Sequence, residues 1–441
     1  VLNSEDPQRT LIVVFSVFYN EITETISEYG EFYTISANQL LVLGNHLLNN
    51  NPAILNESEK NTDVVISISR NNFALYIGGT SKFIREQMVA FQEAGCTHLH
   101  IFWRECNIKG YKGIYLSVVK NGIEIGLFTI SQFFDEVFRI KALVVHNLVG
   151  MKREILNEIL NRLDEEVEVL YYLHDFSCIC SDIKLIHSNG EYCDSYNLNW
   201  KPCNTCTYQE DKQIIYQFHY ELFRRKNIRL IAPSNSTRKI VSKAFDLHEN
   251  AIRVLEHQSY EIVTKRNSYV NPKVRIAYVG YKHVQKGWEI FRNICNDFKD
   301  QFDFYCLGSS DEIIENVTYV DVSFIEDGEL AMVKKLTKHS IDIALLWSTW
   351  PETYSYTYFE SFASGVFVIT NSLSGNIADQ VEKNQNGIVL KNYQELQKLL
   401  RDHTRLKALM ERNNAQITNL TSNLDGILSA INLKRSLAIK N

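Results

Sequence analysis

Two glutamates, Glu352 and Glu360, stand eight positions apart in a segment rich in aromatic and hydroxyl side chains. One apolar run, 341–346, precedes the segment, and a second, 366–369, follows it. Between the runs, apolar side chains recur at helical spacing, which predicts a helix that begins near Ser355 and carries Glu360. The pattern therefore predicts a strand, a loop bearing Glu352, a helix bearing Glu360 and a second strand.

Such a unit suits a ligand that has both hydroxyl and phosphate groups. In open α/β folds, ligands bind at the carboxyl ends of parallel strands, where this loop would lie. The start of the helix offers unpaired backbone N–H groups and a positive dipole end to a phosphate. Carboxylates accept hydrogen bonds from the vicinal hydroxyls of a sugar or ribose. We therefore expect the segment to bind a nucleotide sugar.

The segment resembles the Glu-x7-Glu signature of retaining glycosyltransferases of family 4 (group 1), which include bacterial cell-surface polysaccharide glycosyltransferases. The flanking residues are similar too: Pro-Glu-Thr before, Ala-Ser-Gly-Val-Phe-Val-Ile after, and then Ser374-Gly375 and Asn386-Gly387. The resemblance implies an α/β chain with the GT-B fold, in which two Rossmann-like, doubly wound domains face a cleft. Without the flanking residues, two solvated glutamates on an amphipathic helix would be the simpler interpretation.

A second motif, Gly-Tyr-Lys-His-Val-Gln-Lys-Gly, begins at Gly280. The family usually shows Gly-Arg here, with Lys-Gly six residues after the first glycine, and both cations bind the diphosphate. Lys286 matches that register, whereas Tyr281 stands where the arginine is expected. The resemblance therefore implies that Lys286 binds the diphosphate, either alone or with Lys282 or His283 supplying the missing charge.

The resemblance also implies roles for other residues. Glu360 would accept the ribose hydroxyls, Glu352 would bind hydroxyls of the transferred sugar, and His174 would lie against that sugar. Two further candidates follow apolar runs of the N-terminal half. One is a Gly-Gly pair at Gly79, similar to the family's N-terminal glycine loop, and the other is His146, which would support the residues that contact the sugar. The predicted catalytic residues are Glu352, Lys286 and His174; the donor-binding residues are Glu360, Gly79, Gly280, Lys282, Tyr354, Ser355 and Tyr356; the acceptor-side residues are His146, Asn147 and Asp175.

The implied reaction is the transfer of a sugar from a nucleotide-diphosphate donor to a glycan, lipid-linked or protein acceptor in polysaccharide or glycoconjugate biosynthesis. The family mechanism is front-face departure and attack through an oxocarbenium-like state. No Asp-x-Asp motif is present, so no divalent metal or other catalytic cofactor is expected. Two alternatives remain: a catalytically silent GT-B module that binds a glycan or a partner, which Tyr281 favours, and a GT-B enzyme of other chemistry, such as a nucleotide-sugar epimerase or a phosphorylase.

A polar insertion at 178–210 contains five of the nine cysteines, four of which form a possible ligand set. These four are Cys180, Cys193, Cys203 and Cys206. The Cys-Asn-Thr-Cys sequence has the two-residue gap with which a loop binds tetrahedral zinc. The remaining spacings, of 13 and 10 positions, do not match a known zinc signature. Free thiols are therefore favoured, with a structural zinc and a disulfide as alternatives.

The length of 441 residues predicts two domains. The boundaries predicted from polar breaks are an unassigned N-terminal extension at 1–60, an N-terminal acceptor domain at 61–265, a C-terminal nucleotide-sugar domain at 272–415 and a helical tail at 416–441. The tail is expected to pack back on the N-terminal domain, as in the family. The chain begins with Val rather than Met, so we interpret it as trimmed or cut from a longer polypeptide.

The composition is that of a globular protein, with 45% apolar and 22% charged residues. The formal net charge of −6 argues against a nucleic-acid partner. No apolar run of spanning length and no signal-peptide pattern is present, so we expect a cytoplasmic protein. Two interpretations are open for a set of basic positions: a peripheral contact with the inner face of the membrane, and ordinary solvated helix faces. The positions are Lys152, Arg153, Arg224, Arg225 and Lys226.

Overall fold

The computed structural model describes residues 6, 10–14, 19–30, 32–36, 53–75, 78–108, 111–194, 201–265, 271–308, 312–412 and 416–434. The strands are β1 (Leu11–Val14), β2 (Tyr33–Ser36), β3 (Val64–Ile68), β4 (Thr97–Ile108), β5 (Tyr111–Lys120), β6 (Ile123–Phe128), β7 (Ile140–Val145), β8 (Glu168–Tyr172), β9 (Ile228–Ala232), β10 (Ile252–Val254), β11 (Gln258–Lys265), β12 (Arg275–Val279), β13 (Asp303–Leu307), β14 (Val317–Val320), β15 (Ile343–Leu346), β16 (Phe367–Asn371), β17 (Gly387–Leu390) and β18 (Gln416–Ser422).

The α-helices of the described ranges alternate with these strands. They are α1 (Tyr19–Ser27), α2 (Gly79–Glu93), α3 (Ile130–Glu136), α4 (Arg153–Asn161), α5 (Gln209–Leu222), α6 (Asn235–Phe245), α7 (Trp288–Asp297), α8 (Phe324–Asp327), α9 (Ala331–Lys338), α10 (Tyr356–Ala363), α11 (Asn376–Asn384), α12 (Tyr393–Arg401), α13 (His403–Arg412) and α14 (Leu424–Ala430). None of them is both long and apolar enough to cross a membrane.

Contacts divide the chain into two compact units. The first consists of Val1–Tyr172, Arg225–Arg229 and Leu424–Asn441, and the second of Leu173–Arg224 and Leu230–Asn423. This division differs from the predicted boundary at 265, because most of 173–265 groups with the second unit. Within the second unit, β9 and β10 pair in parallel from Leu230 onward.

The first unit contains six neighbouring strands in the order β8-β7-β3-β4-β5-β6. β8, β7, β3 and β4 run parallel, whereas β5 and β6 form an antiparallel hairpin. Every residue of β3 is buried, as its continuous apolar run predicts. The Asn121-Gly122 dipeptide predicts a two-residue hairpin turn, and both residues have positive φ, 54° and 83°, which confirms the turn.

Both ends of the chain contribute elements to the first unit. In the N-terminal extension, β1 pairs in parallel with β2, and a small core contains Val14, Ile26 and Phe32. At the other end, α14 packs against α2. The C-terminal residues from Leu424 onward therefore belong to the first unit.

The second unit is built on an entirely parallel sheet with the strand order β14-β13-β12-β15-β16-β17. This is the Rossmann order 3-2-1-4-5-6, in which the winding direction reverses between the first and fourth strands, here β12 and β15. Each face of the sheet is covered by helices and carries its own apolar core, with Trp288 and Phe291 in one and Phe359 and Phe362 in the other. The reversal leaves a crevice at the carboxyl ends of β12 and β15.

The tail predicted to be helical from residue 416 begins instead with a strand. β18 pairs antiparallel with β11, an element more than 150 residues earlier in the chain. Thr418 and Leu420 are buried, whereas their neighbours are more exposed, so the segment alternates with the period of a half-buried strand. The helical prediction for 416–422 was wrong because the segment pairs with β11, a strand distant in the sequence.

Candidate functional site

The loop after β12 begins at Gly280 and lies directly against two other loops of the second unit. Gly280 has φ +111°, and a Cβ added there would lie 3.2 Å from Cγ2 of Thr357, in the first turn of α10. A Cβ on Gly308, which follows β13, would clash with the carbonyl oxygen of Gly280. The carboxyl end of β12 therefore lies with its backbone against the end of β13 and close to the start of α10.

Lys286 ends a short 3₁₀ turn, Val284–Lys286, at the same end of the sheet. The next residue, Gly287, has φ +83°, and a Cβ there would clash with the carbonyl oxygen of Trp347, just after β15. Only glycine fits this left-handed position, which explains the Lys-Gly pair of the motif. The carbonyl of Gln285 accepts a hydrogen bond from the Thr349 N–H at 2.9 Å, so the turn is tied to the loop after β15.

Glu352 lies in the loop after β15 and points toward Lys286. Its Oε1 is 3.6 Å from Nζ of Lys286; the Glu352 side chain is only 7% exposed, whereas that of Lys286 is 42% exposed. The carbonyl of Glu352 accepts a hydrogen bond from the N–H of Asn376, at the start of α11, at 2.9 Å. The loop thus holds a buried carboxylate beside a partly exposed ammonium group, at the point where the strand order reverses.

The helix predicted to begin near Ser355 is α10, and Ser355 is its N-cap. The Ser355 hydroxyl accepts a hydrogen bond from the N–H of Tyr358 at 3.3 Å, and the Ser355 N–H donates to Oδ1 of Asn376 at 3.2 Å. Glu360 lies in the second turn of this helix and is buried. The local prediction of a loop glutamate and a helix glutamate is therefore confirmed.

Tyr354 and Tyr356 contact a histidine that sequence reasoning missed. The Tyr356 hydroxyl is 3.3 Å from Nδ1 of His257, and the Tyr354 ring lies 4.4 Å from the His257 ring. The Tyr354 hydroxyl accepts a hydrogen bond from the N–H of Gln258 at 3.1 Å. Both phenol groups thus have protein partners in this structure. No motif marks His257, so the sequence carried no signal for it.

His174 is attached to the Glu352 loop through the neighbouring residue Thr353. The Thr353 hydroxyl donates to the carbonyl of His174 at 2.6 Å, and the His174 ring lies 5.3 Å from that of His257. Burial lowers the pKa of His174 to about 3, so its imidazole is neutral at neutral pH. Asp175 accepts the N–H of Ser177 at 2.9 Å and so shapes the start of the loop that follows.

Neither Tyr281 nor Lys282, which follow Gly280 in the motif, presents a second cation to the crevice. Tyr281 is 66% exposed. Nζ of Lys282 lies 3.2 Å from Oε2 of Glu312, and this same carboxylate oxygen accepts the indole N–H of Trp288 at 2.8 Å. The ammonium group of Lys282 is therefore already neutralised by a carboxylate.

The three predicted residues of the first unit lie at the carboxyl ends of the adjacent strands β3 and β7. Gly79 is the first residue of α2, in the connection that follows β3. His146 follows β7; its N–H donates to the carbonyl of Ile68 at 2.9 Å, and its ring stacks on Tyr172 at 5.5 Å. Asn147 accepts the N–H of Val149 at 3.0 Å. Their acceptor-side and donor-side roles stay predictions.

One small cavity of the second unit is lined by Cys180, Cys193, Cys203 and Cys206, together with His187, Tyr208 and Lys212. Nζ of Lys212, a side chain that is 2% exposed, donates to Sγ of Cys203 at 3.1 Å. Within the described ranges, no three His, Cys, Asp or Glu side chains are arranged so that they could hold a metal ion. These residues therefore give no geometric support to a zinc site, which stays a prediction.

Comparisons with known proteins agree on the fold. No protein-family model matches the sequence, and no curated protein is significantly similar to it. Anabaena HepE, solved in complex with UDP, is 11% identical, with a TM-score of 0.50 over 84% of this chain and 94% of that chain. A Rickettsia africae glycosyltransferase (12%, 0.48; 84% and 97% covered) and Thermosynechococcus elongatus sucrose-phosphate synthase (11%, 0.49; 84% and 96% covered) are also similar. The chain has the GT-B fold, an α/β architecture of two units.

Proposed function

We propose that this chain is a glycosyltransferase that moves a sugar from a nucleotide-diphosphate donor to an acceptor, with retention of configuration and without a divalent metal. The observation that carries the proposal is the pair formed by Lys286 and Glu352, 3.6 Å apart at the strand-order reversal of the second unit. A cation and a buried carboxylate side by side suit a ligand in which an anionic leaving group is bonded to a polyhydroxylated ring. HepE, which was solved with UDP, supports a nucleotide donor by its similar fold.

In the proposed mechanism, Lys286 stabilises the negative charge that accumulates on the diphosphate as the glycosidic bond breaks. The turn that Gly287 closes fixes the backbone of Lys286 before the reaction, and Oε1 of Glu352 lies 3.6 Å from its ammonium group. The start of α10 has unpaired N–H groups and the positive end of a helix dipole, and we propose that it adds to this stabilisation. Glu352 accepts hydrogen bonds from sugar hydroxyls, which orients the ring, and Glu360 binds the ribose.

His174 is proposed to contact the donor sugar. Because burial keeps its imidazole neutral, it acts as a hydrogen-bond partner rather than as a positive charge. Retention follows from departure and attack on the same face, with a diphosphate oxygen taking the acceptor proton. The acceptor is a glycan, a lipid-linked group or a protein, and His146, Asn147 and Asp175 are proposed to lie on its side.

A panel of nucleotide sugars tested by thermal shift identifies the donor, because a ligand at a hundred times its dissociation constant stabilises the folded state by about 2.7 kcal/mol. The stabilising donor is then incubated with candidate acceptors, and the anomeric configuration of the product is read by NMR. Glu352→Gln should abolish transfer, whereas the exposed control Glu165→Gln should not change it. If no nucleotide sugar stabilises the protein, the proposal is wrong. Stabilisation without transfer or hydrolysis would favour the silent-module alternative.

A further inference from the structure

The motif that begins at Gly280 leaves the proposed diphosphate site with a single cation, Lys286. The arginine expected at position 281 is an exposed tyrosine, and Lys282 is paired with Glu312 at 3.2 Å. Nδ1 of His283 accepts the N–H of Gln285 at 3.2 Å, so that nitrogen carries no proton. A second positive charge at this site would therefore come from another part of the chain.

Lys184, in the loop that follows His174, reaches the same place. The carboxylate of Asp182 accepts the N–H of Lys184 at 3.0 Å and that of Ile186 at 2.8 Å, which folds the loop into a turn around Lys184. Nζ of Lys184 then donates to Oε1 of Gln285 at 3.0 Å. Gln285 is the residue immediately before Lys286, so the two ammonium groups belong to one local cluster.

The backbone of Gln285 joins this cluster to the loop that carries Glu352. Its carbonyl accepts the N–H of Thr349 at 2.9 Å and the hydroxyl of Ser348 at 3.2 Å. Hydrogen bonds thus link three segments of the second unit: the loop of Lys184, the turn of Lys286 and the loop of Glu352.

The electrostatics of the cluster suit an anion. Burial lowers the pKa of Lys184; the charge of Asp182 opposes this effect, the charge of Lys286 adds to it, and that of Glu352 opposes it. Lys184 and Lys286 therefore repel each other, and the hydrogen-bond partner of Lys184 is a neutral amide rather than a carboxylate. A diphosphate between the two ammonium groups would relieve that repulsion with charge-assisted hydrogen bonds.

We propose that Lys184 binds the diphosphate of the donor together with Lys286 and takes the place of the arginine that is missing at Tyr281. The inference rests on the proposed function and deepens it, because it names a binding residue that lies about a hundred positions before the motif. A lysine brings a point charge rather than a bidentate fork, so it recognises the phosphate without fixing its orientation.

The test is nucleotide binding by Lys184→Met, which removes the charge and keeps most of the apolar stem. ADP, GDP and UDP are each compared with the monophosphate of the same base, by calorimetry. The diphosphate that wild-type protein binds should bind roughly tenfold or more weakly to the variant, since one charge-assisted contact is lost. Binding of the monophosphate should change less than about twofold. Lys273→Met, 38% exposed and paired with Asp303 ahead of β12, is the matched control and should bind normally.

Two further variants separate a binding role from a structural one. Lys184→Arg keeps the charge and should retain diphosphate binding, and Tyr281→Arg placed in the Lys184→Met background should restore it. Two results for Lys184→Met would overturn the role of Lys184. One is equally weakened binding of the monophosphate and the diphosphate, and the other is unchanged diphosphate binding. If Lys286→Met weakens the diphosphate while Lys184→Met does not, the proposed function stands and only this inference fails. If wild-type protein binds no diphosphate, both fail.

Discussion

Replacing Lys286 by methionine should lower turnover far more than it lowers stability. The ammonium group lies 3.6 Å from Oε1 of Glu352, and 42% of the Lys286 side chain is exposed. At this separation, a pair of unit charges interacts with about 4 kcal/mol at an effective dielectric constant of 20. Solvent screening of the exposed lysine reduces the net contribution of the pair to folding to roughly 1 kcal/mol or less. We therefore expect the variant to stay folded.

The effect on the reaction is larger because charge on the diphosphate grows as the glycosidic bond breaks. Removing one preorganised donor from such a site typically reduces kcat by roughly 10²–10³, which corresponds to about 2.7–4 kcal/mol. Uniform binding of the ground state would raise only KM, whereas a contact that strengthens in the transition state must lower kcat. A fall of about a hundredfold or more in kcat is the expected result.

Steady-state transfer with the identified donor, together with chemical denaturation of the same preparations, tests this reasoning. Lys273→Met is again the control, because Lys273 is 38% exposed and forms a similar pair, 3.4 Å from Asp303, away from the crevice. The control should lose less than about 1 kcal/mol of stability and no activity. If Lys286→Met retains wild-type kcat and diphosphate affinity, Lys286 is a surface lysine beside a tight turn, and the assigned role is refuted.

Three further predictions concern other groups. Glu352→Ala should reduce transfer by about a hundredfold or more while leaving the chain folded, and unchanged turnover would remove Glu352 from the mechanism. Burial, and then the charge of His100, lowers the pKa of His98 to about 3, and burial lowers the pKa of His100 to about 4. Because these histidines take up protons below about pH 6.5 only in the unfolded chain, the free energy of unfolding should fall from pH 6.5 toward pH 4 by up to about 1.4 kcal/mol per pH unit for each histidine. A denaturation midpoint that does not change between pH 7 and 5 would contradict this prediction. Chelator-washed protein should contain no stoichiometric metal and still bind nucleotide, whereas about one zinc per chain on elemental analysis would favour a metal site at Cys180, Cys193, Cys203 and Cys206.

Local patterns predicted the elements that hold the site. The apolar runs around the Glu352 segment, the N-cap at Ser355 and the Asn121-Gly122 turn all depend on neighbours within a few residues, and each is confirmed. The Lys-Gly pair was predicted from the resemblance to a known family, and the positive φ of Gly287 agrees with it. Short-range sterics and hydrogen bonds act in any chain that contains these short sequences. The sequence alone was therefore sufficient to predict these elements.

Distant pairings were not predictable in this way. β18 becomes a strand because it pairs with β11, which lies more than 150 residues earlier in the chain. The contacts of Tyr354 and Tyr356 with His257 likewise join segments about a hundred positions apart, as does the bond from Lys184 to Gln285. Such contacts depend on which loops the folded sheet brings together, and a single sequence carries no local signal for them.

The sequence by itself determined the strand, the loop glutamate, the helix glutamate and the second strand of the Glu352 segment, because these follow from spacing along the chain. The register of Lys286 came from the resemblance to a known family. Only the tertiary structure decided which charges meet at the crevice. The order in which the parallel strands lie, with the reversal between β12 and β15, sets Lys286 beside Glu352 and leaves Lys282 with Glu312. Charges interact according to their distance in space and the burial around them, and both arise only when the core of the second unit closes.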